Sequence, residues 1–257
     1  MKGWTCTKIT KRVKLPIIGA RHFVKCLAPV EKNMNRLSKK SQQRILKLLT
    51  HMGALIPLAL LIWDYNLEQF GADPIREVTL RTGKAAITLL VLSLAITPFK
   101  IWFGWKQIHP LRKLLGLYAF LYVGLHLLVF FWLDYELNLE LISEALFEKR
   151  YALVGLVSFL ILLPLAATST RWAMRKMGKN WTRLHRWVYL AGILAVLHYI
   201  LLVKNAYTSP FLYAVVLTIL LLSRVKPIKQ AILRFRRKLE NRRRSNQDKN
   251  KKKEAYS

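Results

Sequence analysis

Acidic residues are scarce in this sequence. Asp and Glu number 13 against 43 Lys and Arg, a formal net charge of +30. Cysteine is scarcer still: only Cys6 and Cys26 are present, and they form no CxxC pair. A disulfide framework and a Cys-based zinc site are therefore not expected. The 11 glycines make no GxGxxG fingerprint and no P-loop, so no nucleotide-binding domain is expected. No internal repeat is visible. The basic N-terminus leads into no apolar run with a small-residue cleavage site, so no cleaved signal peptide is expected. A soluble chain this basic would bind nucleic acid or stay unfolded. Yet 53% of the residues are hydrophobic. The conflict resolves by position, because the charge lies at the ends and in short loops while the apolar residues form long blocks.

A spanning helix needs about 20 mostly apolar residues. Six blocks qualify, at 45–63, 84–103, 111–133, 151–168, 184–203 and 208–223. In lipid each backbone polar group must be satisfied within its own segment, so blocks of this length are helices. The expected fold is an all-α integral membrane protein, a six-transmembrane-helix bundle. Residues 1–44 form a basic N-terminal extension, 45–223 the transmembrane domain, and 224–257 a basic tail in which 236–253 read as disordered in isolation.

The intervening charges alternate in sign. Residues 1–44 hold twelve Lys or Arg against Glu31 alone. The stretch 64–83 carries Asp64, Glu68, Asp73 and Glu77 against Arg76 and Arg81. The loop 104–113 has Lys106, Arg112 and Lys113 and no acid. The stretch 134–150 carries Asp134, Glu136, Glu140, Glu144 and Glu148 against Lys149 and Arg150, and 169–183 is again purely basic. The positive-inside rule then places both termini and both basic loops in the cytosol. The tails are expected to lie along anionic headgroups of the lipid membrane, with no nucleic acid as partner.

An ionisable side chain within a bilayer is expensive, and histidine is both the least costly such residue and a common haem ligand. His126 stands in the third block, and His185 and His198 stand at the start and in the later half of the fifth. Both blocks run outward from the cytosol. His126 follows Arg112 by 14 residues and His198 follows His185 by 13, a rise of about 20 Å in each case. His126 and His198 therefore reach matching depth in the outer half, as two axial ligands of one haem iron must. The alternative for any single intramembrane histidine is an interhelical hydrogen bond. Thirteen residues turn a straight helix by about 220°, so His185 shares a face with His198 only if the helix bends, near Gly192 or in its first turn. His51 is a cytosol-side interfacial histidine that could serve a quinone or a flavin, and His109, before Pro110, is expected to be solvated.

The runs LLTHMGALIPLALLIW, FGADPIREVTLRTGKAAITLLVLSLAITP, RKLLGLYAFLYVGLHL, ATSTRWAMRKMGKNWTRLHRWVYLAGILAVLHYI and SPFLYAVVLTILLL, across residues 36–235, resemble the haem-binding membrane subunits of the bacterial methionine sulfoxide reductase system, the MsrQ family. That family is in turn similar to ferric reductase-like transmembrane domains. The resemblance implies an inner-membrane cytochrome with haem b and FMN. It implies electrons taken from the quinone pool or a cytosolic flavin reductase and passed to a periplasmic molybdopterin-containing methionine sulfoxide reductase. It also implies no substrate-reducing site in this chain. The family's haem histidines map onto His126, His185 and His198. Where ferric reductase relatives carry a further histidine this chain has Arg112, which could instead pair with haem propionates. Residues 1–33 look like an extra, and Met34 reads as an ordinary start.

Arg175, Lys176 and Lys179 are candidates for a flavin phosphate, although positive-inside topology alone accounts for them. The rival functions are a cofactor-free transporter and a passive membrane scaffold. A transporter would be expected to show discontinuous helices and an acid or cation within the bilayer at a repeat interface, and no mid-helix carboxylate and no repeat are visible.

Overall fold

The computed structural model describes residues 19–67, 69–203 and 208–254. The chain divides into two units, Met1–Ile45 and Leu46–Ser257. The start of the basic extension, with Cys6, lies outside the described residues. Ten α-helices account for nearly all of those residues: α1 Gly19–Asn66, α2 Pro74–Phe103, α3 Leu111–Leu128, α4 Leu139–Glu148, α5 Arg150–Ala167, α6 Arg171–Met177, α7 Lys179–Leu184, α8 Val188–Leu202, α9 Thr208–Leu222 and α10 Lys226–Glu254.

Local chemistry sets the helix ends. Asp73 caps α2 by accepting from the Arg76 N–H at 3.0 Å, and Pro74 opens the helix where no N–H is needed. The second span thus begins ten residues before the expected 84. Its early charges are neutralised locally: Arg81 pairs with Glu77 at 2.5 Å and also with Asp64. Asn138 caps α4 by accepting from the N–H groups of Glu140 and Leu141. Thr170 caps α6 through Ala173 N–H at 3.1 Å.

Among the described residues, five helices are long and apolar enough to cross a membrane: Ser41–Asn66, Pro74–Phe103, Leu111–Asp134, Arg150–Ala167 and Lys179–Leu202. The expected sixth differs. With 15 residues α9 rises about 22 Å, short of a hydrocarbon core of about 30 Å. It qualifies as a span only together with α10, across a bend of 77°. The tail differs as well: residues 236–253 belong to a continuous helix rather than reading as disordered. Ile228, Ile232, Phe235 and Leu239 recur at helical spacing along it. Arg236 anchors α10 by donating to the Ile101 carbonyl at 3.3 Å.

The fold is inverted relative to a soluble protein, with large apolar side chains such as Leu160, Phe211 and Leu212 facing outward. Inside, α2 packs chiefly on α3 and α5 on α8. Small residues allow the close approach, since Ala119 and Ala191 are 1% and 0% exposed. Tyr122 joins α3 to α1 by an inserted hydroxyl. It donates to the Ala54 carbonyl at 2.8 Å and accepts from Leu58 N–H at 3.1 Å, groups that would otherwise bond to each other. Tyr122→Phe is expected to cost only about 1 kcal/mol, because α1 can close its own bond. A fall of a few degrees in the detergent melting temperature checks this, and a loss of the fold would contradict it.

Candidate functional site

His126 projects from the last turn of α3, just before a π-helical turn at Val129–Asp134. Such turns often mark functional positions in α-helices. His198 projects from α8. The structure brings the two together, with ring centres 6.2 Å apart and planes at 83°. Each ring is held from behind. The Nδ1–H of His126 donates to the Thr79 carbonyl of α2 at 2.9 Å, and that of His198 to the Tyr151 carbonyl of α5 at 2.7 Å. A carbonyl can only accept, so both imidazoles are Nδ1–H tautomers when neutral, and each Nε2 keeps a free lone pair.

That arrangement suits axial ligation of a macrocyclic metal. Two imidazoles trans on one metal, with bonds of about 2 Å, place their ring centres about 6 Å apart. A carbonyl behind a ligand histidine orients it and raises its basicity. Among the described residues no three His, Cys, Asp or Glu side chains converge, so the remaining ligands would have to come with the cofactor. The pair borders a cavity of about 700 Å³, within the range of cofactor sites. Leu90, Phe130, Leu156 and Leu162 supply apolar wall, while Arg76, Lys84 and Lys149 supply cations. Tyr135 accepts from Lys149 Nζ at 2.8 Å at the acidic-loop end.

His185 stands apart. It begins a short 3₁₀ turn, His185–Trp187, that links α7 to α8. The expected distortion thus occurs in the first turn, while α8 runs unbroken through Gly192. The 3₁₀ turn adds about 60° of rotation between His185 and His198. Trp181 stacks on the His185 ring at 4.0 Å. Thr168 spends its hydroxyl hydrogen on the Pro164 carbonyl at 2.6 Å, so it accepts from His185 Nε2–H at 3.1 Å. Arg112 lies near enough for its charge to act on this imidazole. No second histidine meets His185 among the described residues. Arg175, Lys176 and Lys179 are all exposed, and Lys176 lies over the Trp172 ring.

The other histidines take minor places. His51 is exposed and shares a 2.7 Å hydrogen bond with the Tyr118 hydroxyl. His109 is an exposed loop residue, held below its ordinary pKa by partial burial and by Lys100 and Arg112. Sequence reasoning missed Arg224. This half-buried cation follows α9, donates to the Tyr189 hydroxyl and to the Leu94 carbonyl, and lies over the Tyr189 ring. A lone arginine directly after the last apolar block was its only signal.

The chain is similar to known proteins. The family described as ferric reductase like transmembrane component matches residues 82–196. The chain is 41% identical over 192 residues to the protein-methionine-sulfoxide reductase heme-binding subunit MsrQ of Xanthomonas campestris pv. campestris (strain 8004), covering 72% of this chain and 88% of that one. It is 39% identical over 192 residues to the subunit of the same name from Yersinia pseudotuberculosis serotype O:1b (strain IP 31758), covering 74% and 95%. No solved structure matches the chain.

Proposed function

We propose, for a chain that belongs to the MsrQ family of protein-methionine-sulfoxide reductase heme-binding subunits and is a multi-pass protein of the bacterial inner membrane, that it is a b-type cytochrome carrying electrons across that membrane to a methionine sulfoxide reductase. The observation that carries this reading is the pair His126 and His198, with ring centres 6.2 Å apart and no hydrogen-bond partner at either Nε2 among the described residues. Bound haem would supply a one-electron carrier that the side chains themselves cannot provide. His126 and His198 would hold its iron. Arg76, Lys84 and Lys149, which line the same cavity, are placed to neutralise its propionates. Leu90, Phe130, Leu156 and Leu162 would give it an apolar surround.

The topology is six spans with both termini cytosolic, and the alternation of loop charges supports it. The basic extension and the Lys- and Arg-rich end of the tail are drawn to the anionic cytosolic leaflet. His185 is assigned to the cytosolic end of the electron path as the remaining haem histidine, with Arg112 as a cation for a propionate. FMN is the second cofactor, with Arg175, Lys176 and Lys179 as candidates for its phosphate. Electrons come from the quinone pool or a cytosolic flavin reductase. They leave to a periplasmic molybdopterin-containing subunit that docks on the acidic loops. Reducing one sulfoxide to the thioether takes two electrons and two protons and releases water, so a one-electron carrier must turn over twice per substrate.

The visible spectrum of the detergent-purified chain, oxidised and dithionite-reduced, tests the reading. A Soret band that shifts on reduction is expected. Its absence after expression with ample haem would end the cytochrome assignment. Flavin in the supernatant after denaturation tests the FMN assignment independently.

A further inference from the structure

The two histidines are seated by the same device. On α2, Gly83 follows Thr79 by four residues, and on α5, Gly155 follows Tyr151 by four. A helical residue covers the surface over the turn N-terminal to its own Cα. A side chain at position 83 or 155 would therefore stand over the carbonyl that the histidine uses. The distances bear this out. A Cβ on Gly83 would lie 3.2 Å from Nδ1 and Cε1 of His126. A Cβ on Gly155 would lie 2.8 Å from Nδ1 and 3.0 Å from Cε1 of His198. The first is tight and the second is a clash.

The device also recurs at a constant interval. Thr79 and Tyr151, Gly83 and Gly155, and His126 and His198 each stand 72 positions apart. The same interval relates the buried pairs Leu90 and Leu162, and Ala119 and Ala191. Each histidine donates to a carbonyl 47 residues earlier. The pairs α2–α3 and α5–α8 are thus two copies of one helix-pair pattern, a repeat too sparse in identities to see by reading along the chain. We infer that Gly83 and Gly155 are positioning residues of the His126–His198 site. Each leaves open the backbone carbonyl that fixes the imidazole and turns its Nε2 toward the shared centre.

This assignment rests on the cytochrome reading for its redox consequence but not for its geometry, and the test separates the two. Gly83→Ala and Gly155→Ala are compared in the full-length purified chain with Gly53→Ala and Gly124→Ala, where an added Cβ meets nothing within 4 Å. Alanine normally suits a helix better than glycine, so the two controls are expected to hold or raise the melting temperature. The two seat variants are expected to lower it, Gly155→Ala more than Gly83→Ala. In the haem-loaded chain the seat variants are also expected to shift the midpoint potential and the low-spin electron paramagnetic resonance g-values, which the controls leave in place. A double-mutant cycle covers the case of a poorly folding variant. If the added methyl harms only by striking the imidazole, Gly155→Ala lowers the melting temperature far less in a His198→Ala background. An equal loss in both backgrounds overturns the proposal, as do seat variants that match wild type in melting, potential and g-values. A chain that binds no haem yet shows the melting pattern and the cycle would refute the cytochrome and retain the seats.

Discussion

Alanine at either His126 or His198 is expected to abolish the six-coordinate low-spin haem spectrum and to lower haem retained per chain by about tenfold or more. The magnitude follows from a lower bound. Losing only a partner behind a ligand histidine costs roughly ten- to a hundredfold in metal affinity, and here the ligand itself is lost. The two substitutions should act alike, because in the proposed site each ring would supply one ligand of the same centre and the rings are 6.2 Å apart. His51→Ala and His109→Ala are the controls. His51 is exposed and bonded to Tyr118, and His109 lies in a loop. Haem content by pyridine haemochrome, together with the spectrum, reads the result. An unchanged spectrum in either axial variant would show the ligand assignment to be wrong. His185→Ala is informative in a different way. With Nε2 bonded to Thr168, His185 has only Nδ1 free in this arrangement. If it binds a second haem, its loss halves haem per chain while the His126–His198 spectrum persists.

The second large effect is expected at Arg224. Pro98 lies inside α2 and has no N–H, which leaves the Leu94 carbonyl without its helical partner. Arg224 supplies that partner from beyond the end of α9, and its guanidinium also binds the Tyr189 hydroxyl and lies 4.7 Å over the Tyr189 ring. One side chain thus ties the proline break of α2 to α8, the helix that carries His198. Arg224→Met keeps the aliphatic bulk and removes every donor. Hydrogen bonds to a charged group are worth about 1.5–3 kcal/mol, so a loss of about 2–3 kcal/mol is expected, with a melting temperature lower by several degrees. Arg224→Lys should recover only part of this, since a single ammonium lacks the planar fork that meets both acceptors. A melting temperature equal to wild type for Arg224→Met would show that the Leu94 carbonyl is satisfied without it.

The errors of sequence reading have identifiable causes. The apolar block starts at 84, after the charged stretch that holds Glu77 and Arg81. Folded, they neutralise each other with help from Asp64, and the helix starts at its Asp73 cap. The tail reads as disordered over 236–253 in isolation, while Ile228, Ile232, Phe235 and Leu239 recur at helical spacing along α10. His185 lies in a 3₁₀ turn, which hydropathy does not register.

Hydropathy and loop charge act along the chain, so the sequence alone determined five of the spanning blocks, the alternation of basic and acidic ends, and the all-helical class. Helical rise is nearly constant, so it also determined that His126 and His198 reach matching depth. Depth does not specify facing, however, and only the packing of α2 on α3 and α5 on α8 decided that the two rings meet. The acceptors that hold those rings are backbone carbonyls, which every residue possesses and none advertises. The glycines that expose them are likewise marked only by an absent side chain. Their meaning depends on what lies across the helix interface, a relation between residues 43 to 47 positions apart in each pair that no local pattern encodes.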